Sequence, residues 1–268
     1  MIKRLFIAVS LMVAALPVVA NAKTVCTVIA DADRGTFLLE DGDCRTRVTP
    51  ASTFKVALTV IGFDAGFLVD ANQPSLPFLE GYPDWGGAPW KMATDPAHWM
   101  KHSVVWYSQE IARALGTDHL ERSAASLGYG NADFAGDPGM DNGLERAWIS
   151  SSLQISPLEQ IAFLQKLVNR QLPVDPGVYA KVDAIVETTM LADGWRVHGK
   201  TGSAYPRRAD RSFDRARAYG WFVGWAVKGD ETLVFALLSQ DETRESGSAG
   251  LRARDAFLSA WPSLVANR

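Results

Sequence analysis

Little in the composition of this 268-residue chain points toward a metal ion or a nucleic acid as partner. It has two cysteines, Cys26 and Cys44, without nearby ligand partners, and four histidines, of which only His98 and His102 come close in register. Its formal net charge is −3, with 27 basic and 30 acidic residues. The densest basic stretch, 207–217, is interrupted by Asp210 and Asp214, so no basic stripe is present. We therefore expect no metal cofactor and no nucleic-acid partner.

Long apolar runs are also missing after the first 22 residues, so we expect no membrane span there. The segment before that point has the layout of a secretory signal peptide. Lys3 and Arg4 precede a short apolar run, Leu5 to Val19, and the segment ends in Ala20-Asn21-Ala22. We predict cleavage after Ala22 and a location outside the cytoplasm, either periplasmic or secreted. The mature chain would have 25 basic and 30 acidic residues, because two of the 27 basic residues are removed, and thus a net charge of −5.

Strand-like segments lie near both ends of the chain. Residues 23–30 and 36–40 are separated by turn residues and predict a hairpin, across which Cys26 and Cys44 could form a disulfide in an oxidising compartment. Two of the C-terminal runs are almost wholly apolar, which predicts a central sheet covered on both faces. The three C-terminal strand candidates are 195–202, 219–227 and 233–239.

The middle of the chain is mainly helical in pattern. Ser156-Pro157-Leu158-Glu159 is typical of a helix N-terminus, with a cap, a proline in the first turn and a capping-box glutamate. We predict an α/β fold of the α+β type, an antiparallel β-sheet flanked by helices with an all-helical domain inserted. The sheet domain would comprise 23–63 and 194–268, and the helical domain 64–193, with a cleft at the seam. Helical patterns cover 103–115, 117–127, 156–170, a segment from 175, and 250–264.

One short stretch combines a nucleophile with a potential base. Ser52 and Lys55 are three residues apart, after Pro50 and at the start of an apolar helical pattern that runs from Phe54 to Ile61. Residues at this spacing share a helix face. A serine hydroxyl needs a neighbouring base to act as a nucleophile. A lysine becomes one only when apolar surroundings disfavour its charged form.

Further motifs follow Thr49 to Lys55 in a distinctive order: Ser103-Val104-Val105, Tyr129-Gly130-Asn131, Trp148 and Lys200-Thr201-Gly202. Taken together they resemble the serine penicillin-recognising proteins, and most closely the class D (oxacillinase-type) β-lactamases. The resemblance covers nearly the whole mature chain. Val105 distinguishes the class, because class A enzymes and most transpeptidases have asparagine at that place.

The resemblance implies hydrolysis of the β-lactam ring of penicillin-type antibiotics through a serine acyl-enzyme. Ser52 would be the nucleophile, and Lys55, as N6-carboxylysine, the general base. Val105 makes the surroundings of Lys55 drier and so favours the neutral amine, which can add carbon dioxide. The indole N–H of Trp148 would steady the carbamate. Apart from carbon dioxide or bicarbonate for this modification, no cofactor is expected.

The same resemblance assigns the remaining site residues. Ser103 would relay a proton to the departing ring nitrogen, and Lys200 would keep the local field positive. The oxyanion hole would be formed by the backbone N–H groups of Ser52 and Ser203. Thr201 and Arg252 would receive the substrate carboxylate, and Gly202 would allow close approach.

Two other functions use the same acylation residues. One is a D,D-peptidase acting on cell-wall peptides, and the other is a β-lactam sensor domain that stays acylated. The signal peptide, the size of a single enzyme and Val105 weigh against the first, and the lack of a membrane helix after Ala22 weighs against the second. Monomers and homodimers both occur among such proteins, so the sequence leaves the oligomeric state open, as it does the substrate spectrum.

Overall fold

The computed structural model describes residues 22–266, and the predicted signal peptide, except for Ala22, lies outside this range. The strands of this range form one antiparallel six-stranded sheet in the order β2-β1-β6-β5-β4-β3. N-terminal strands therefore pair with C-terminal strands, as the sequence predicted. The strands are β1 (Lys23–Asp31), β2 (Phe37–Gly42), β3 (Thr188–Met190), β4 (Arg196–Ala204), β5 (Tyr219–Lys228) and β6 (Glu231–Gln240).

Helices surround the sheet and fill the middle of the chain. The predicted capping box is present, because the Ser156 side chain accepts from the Glu159 N–H while the Glu159 carboxylate accepts from the Ser156 N–H. The α-helices of the described range are α1 (Phe54–Asp64), α2 (Pro96–His102), α3 (Val105–Leu115), α4 (Thr117–Leu127), α5 (Gly143–Arg146), α6 (Pro157–Val168), α7 (Gly177–Ile185) and α8 (Ala249–Ala266).

Both faces of the sheet are buried, which confirms the interpretation of its apolar strands. On one face Phe222 and Phe235 pack against Phe257 and Trp261 of α8. On the other face Trp221 belongs to the larger core that the remaining helices share. Burial on both sides removes the alternation of polar and apolar residues that a half-exposed strand would show.

Some short elements were not predicted. α2, α5 and β3 have seven, four and three residues, too few to establish a periodic pattern. β3 also lies within 64–193, the range predicted to be all helical, and it forms an edge of the sheet beside β4. The exact boundaries of the two predicted domains therefore stay a prediction.

The predicted disulfide is present between Cys26 on β1 and Cys44, two residues after β2. Both residues are buried, so the bond fastens the edge of the sheet to its core. No helix between residues 22 and 266 has the length and hydropathy needed to cross a membrane.

Candidate active site

Ser52 lies in a short 3-10 turn, Ala51–Thr53, that leads directly into α1. Ala51 has a φ of 52°, in the left-handed region that residues with a side chain seldom adopt. Strained backbone of this kind concentrates at functional sites. The left-handed residue separates Pro50 from the helix, so the regular α-helix begins at Phe54, although a proline such as Pro50 suits the first turn of a helix.

β4 passes directly beside this turn because it has a glycine there. A Cβ atom on Gly202 would lie 2.9 Å from the Pro50 carbonyl oxygen. On its other side, a Cβ atom on Gly250, at the start of α8, would lie 2.5 Å from the Gly202 carbonyl oxygen. Side chains at either position would push the layers apart. The two glycines therefore hold Lys200-Thr201-Gly202 against the serine turn.

Lys55 lies in the first turn of α1 and is buried, with 1% of its surface exposed. Its amine has no hydrogen-bond partner among the described residues and lies 5.9 Å from the centre of a Trp99 ring. Burial, reinforced by the positive charge of Lys200, lowers the pKa of Lys55 well below its ordinary value. The neutral amine that a base requires is thereby favoured.

Trp148 is a second buried donor without a partner among the described residues. Its ring packs on Phe54 with 5.5 Å between centroids, and its indole N–H is unpaired. Its carbonyl oxygen accepts a hydrogen bond from the Thr49 hydroxyl at 2.9 Å. Because Phe54 directly precedes Lys55, the chain segments that carry the Lys55 amine and the Trp148 indole pack against each other in the same core. Buried polar groups without partners are rare, and each calls for an explanation.

Lys200 and Ser103 come together although they are far apart in the chain. Ser103 ends α2 in a left-handed conformation, with a φ of 57°, and its hydroxyl oxygen accepts from the Lys200 amine at 3.2 Å. The hydroxyl hydrogen thus remains available for another acceptor. Burial lowers the pKa of Lys200 to about 8, a shift opposed by the Glu187 carboxylate and reinforced by the charge of Arg254.

An open cavity of about 580 Å³ lies between the sheet and the helices, and Ser52, Ser103 and Lys200 line it. The buried side chains of Lys55 and Trp148 are not part of its lining. Val105 and Ile149 give its wall an apolar part, and Trp85 stands at the wall with 63% of its surface exposed. Within residues 22–266, no three histidine, cysteine or acidic side chains form a group that could hold a metal ion. The sequence-predicted residues that line the cavity are Ser52, Ser103, Val105, Lys200, Thr201, Gly202 and Ser203.

Arg252 does not line the cavity. Its guanidinium donates to the Asp241 carboxylate at 2.6 Å instead. Arg254 is the arginine of α8 that lines the cavity. The sequence had a usable signal, because Arg254 lies four residues after Gly250, and residues four apart share a helix face. Gly250 is the residue that touches Gly202, so the same face of α8 approaches the catalytic strand.

Tyr129-Gly130-Asn131 has a structural position outside the cavity lining. Tyr129 is buried, with its ring 5.5 Å from Phe54 and its hydroxyl within 3.3 Å of the Gln160 amide nitrogen. The Asn131 side chain binds the backbone of the segment after Trp148, donating to the Ser152 carbonyl and accepting from the N–H of residue 154. This motif therefore supports the segments that form the site.

A sequence profile described as the penicillin binding protein transpeptidase domain matches residues 18–260. β-Lactamase OXA-9 of Klebsiella pneumoniae is 40% identical over 247 residues, covering 91% of this chain and 89% of the relative. The solved class D β-lactamase OXA-427 is 43% identical, with a TM-score of 0.83 over 89% of this chain and 97% of that one. The chain belongs to the class D β-lactamase family.

A more distant relative agrees with this family. β-Lactamase OXA-1 of Escherichia coli is 34% identical over 231 residues, covering 80% of this chain and 79% of the relative. Membership of the class D family confirms the resemblance drawn from the motifs, and with it the penicillin-recognising fold.

Proposed function

We propose that this class D β-lactamase homologue hydrolyses the β-lactam ring of penicillin-type antibiotics through an acyl-enzyme on Ser52. The observation that supports this most directly is the buried, unpaired amine of Lys55, three residues after Ser52. Ser52 itself lines the open cavity. A buried amine without a partner lowers stability, so its retention fits a chemical role.

The site suits an N-carboxylated lysine. The buried Lys55 Nζ and Trp148 Nε1 both lack partners among the described residues, and the pKa of Lys55 is lowered by burial. Lys55 would bear the carbamate and the Trp148 indole N–H would donate to it. When formed, the carbamate supplies a general base in a dry environment.

Acylation then follows from the positions of the remaining residues. Ser52 gives up its proton to the base carried by Lys55, and its oxygen bonds to the lactam carbonyl carbon. The backbone N–H groups of Ser52 and Ser203 stabilise the oxyanion. Ser103 donates its hydroxyl hydrogen to the ring nitrogen as the C–N bond breaks, and it can regain a proton from Lys200, which donates to it at 3.2 Å. Water finally hydrolyses the Ser52 ester.

The substrate carboxylate would bind at the β4 and α8 side of the cavity. Thr201 and Arg254 line this part, and the positive charge of Lys200 attracts the anion. We assign the arginine role to Arg254 in place of Arg252, whose guanidinium is engaged by Asp241.

Nitrocefin hydrolysis tests the proposal. We expect sustained turnover by the wild-type enzyme and none by Ser52→Ala. A single stoichiometric burst would instead indicate a D,D-peptidase or a sensor domain. A steady-state panel of penicillins, cephalosporins and carbapenems, with and without bicarbonate, would then define the substrates.

We further propose that the enzyme acts in the periplasm or outside the cell, as a monomer or a homodimer. The buried disulfide between Cys26 and Cys44 agrees with an oxidising compartment. Intact-mass measurement of the exported protein would test cleavage after Ala22, and light scattering would give the oligomeric state.

A further inference from the structure

Arg207, in the connection between β4 and β5, binds several groups at once. Its Nη2 atom lies 3.0 and 3.1 Å from the two carboxylate oxygens of Asp137, and its Nε–H donates to the Ser150 carbonyl oxygen at 3.0 Å. The guanidinium also lies 4.1 Å from the centre of the Phe213 ring. A rigid fork of donors suits an arginine at such a junction. Arg207 thus joins the β4–β5 connection to two other segments.

Ser150 is held in an unfavourable conformation by bonds to all of its polar groups. Its φ is 57°, in the left-handed region. Its N–H donates to the Thr49 hydroxyl at 2.9 Å, and its own hydroxyl oxygen accepts from the Tyr205 N–H at 3.2 Å. Arg207 binds its carbonyl oxygen. Such a conformation persists only where the surroundings determine it, and two of the three bonds here come from the β4–β5 connection.

The same bonds continue to Trp148. The Thr49 hydroxyl, which accepts from the Ser150 N–H, donates to the Trp148 carbonyl oxygen at 2.9 Å. The backbone from Trp148 to Ser150 therefore folds around one hydroxyl, three residues before Ser52. Loss of the bond from Arg207 would release the Ser150 end of this turn. The orientation of the Trp148 ring would then be less fixed.

We propose that Arg207 is a positioning residue for Trp148: by fixing Ser150, it aims the indole N–H and so stabilises the carbamate on Lys55. This inference rests on the proposed function, since it concerns the base that the proposed reaction uses. Residues that orient a metal ligand by a hydrogen bond commonly change the metal affinity by about 10- to 100-fold when they are removed, and we expect an effect of the same order on the carbamate.

The chain offers a matched control in the same connection. Arg208 forms an ion pair with Asp214 at 2.9 Å, and its side chain is half-exposed. Arg208→Ala therefore removes the same charge and a similar ion pair without touching Ser150. Arg207→Lys supplies a conservative variant, because a lysine can pair with Asp137 but lacks the rigid fork that places a separate nitrogen against the Ser150 carbonyl.

The test is a titration of the purified enzymes with ¹³C-labelled bicarbonate, following the lysine carbamate signal by ¹³C NMR. Nitrocefin turnover is measured over the same range, and a thermal melt of each variant checks folding. We expect Arg207→Ala to need about tenfold more bicarbonate for half of the full signal. Arg207→Lys should need an intermediate concentration, and Arg208→Ala the same concentration as the wild type. If Arg207→Ala does not fold, Arg207→Lys supports the same comparison.

The outcomes separate this inference from the proposed function. A wild-type enzyme with neither turnover nor a carbamate signal would contradict the proposed function itself. A wild-type enzyme with both, together with Arg207 variants that titrate like Arg208→Ala, would overturn only the role of Arg207. A change in KM at an unchanged carbamate affinity would also overturn it, because it would indicate a substrate contact instead.

Discussion

Two cavities of the molecule differ in how their charged groups are paired. Lys200 lines the cavity beside Ser52, and Lys55 lies buried behind it. Neither amine forms an ion pair within the described residues. In the neighbouring cavity of about 700 Å³, Arg207 is paired with Asp137, whose carboxylate also accepts from the Ser151 hydroxyl. The first region leaves its amines without an ion pair, whereas the second pairs its guanidinium with a carboxylate.

This difference distinguishes a region whose groups can react from a region whose groups hold the backbone in place. An unpaired buried amine lowers the free energy of unfolding, but it also has a lowered pKa, which makes it a base. A paired, partly exposed guanidinium has little reactivity, but it fixes the backbone it binds. The two regions share the segment from Trp148 to Ser150, so the satisfied region can hold a part of the reactive one in place.

The largest expected effect comes from removing the unpaired amine. Lys55→Met keeps the length of the side chain, and it should lower turnover on the order of 10⁴-fold or more because the base is lost. The same change should raise the free energy of unfolding by about 1–3 kcal/mol, since a desolvated polar group is removed. Steady-state nitrocefin kinetics and urea unfolding in buffer free of carbon dioxide would measure both. A less stable Lys55→Met would contradict the contrast between the two regions.

Removing the unpaired indole N–H should have the next largest effect. Trp148→Phe retains an aromatic ring against Phe54 but has no donor, so deacylation at ambient carbon dioxide should slow about 10- to 100-fold. Saturating bicarbonate should restore most of the rate, as measured in a bicarbonate titration of turnover. A slow rate that bicarbonate does not change would remove the carbamate from the scheme.

The two arginines of α8 provide a similar comparison within one helix. Arg254→Ala should raise KM for penicillins about 10- to 100-fold, because a hydrogen bond to a charged group is lost. Arg252→Ala should leave KM within about twofold and lower stability instead, since Asp241 has only 3% of its side chain exposed and would lose its cation. Steady-state kinetics and thermal unfolding of both variants would show whether these roles are reversed.

A further expected effect concerns pH. The pKa of Lys200 is lowered to about 8, so its positive charge is lost as the pH rises through that value. We therefore expect kcat/KM for penicillins to fall above about pH 8, approaching tenfold per pH unit. Lys200→Arg should shift this fall to higher pH, because an arginine stays charged. A pH profile that is flat to pH 9.5 in the wild type would exclude Lys200 as the group responsible.

Much of the fold could be predicted because its signals are local. The apolar strands β5 and β6 indicated a sheet buried on both faces, and the capping box at Ser156 placed the start of α6 within one residue. Short elements could not be predicted, because the three residues of β3 or the four of α5 cannot show a period. The left-handed conformation of Ala51 also left no sign in the sequence, since alanine ordinarily favours a helix.

The sequence by itself determined which residues have the chemistry: a serine and a lysine three apart, a second Ser and Lys pair, and one tryptophan in a fixed order. Tertiary structure decided what those residues become. Only the packing of α1 against Trp99 and Trp148 removes water from Lys55, and only the contact of Gly250 with Gly202 brings Arg254 to the cavity in place of Arg252. The physical reason is that desolvation and direction depend on neighbours that are distant in the chain, whereas spacing depends on the chain alone.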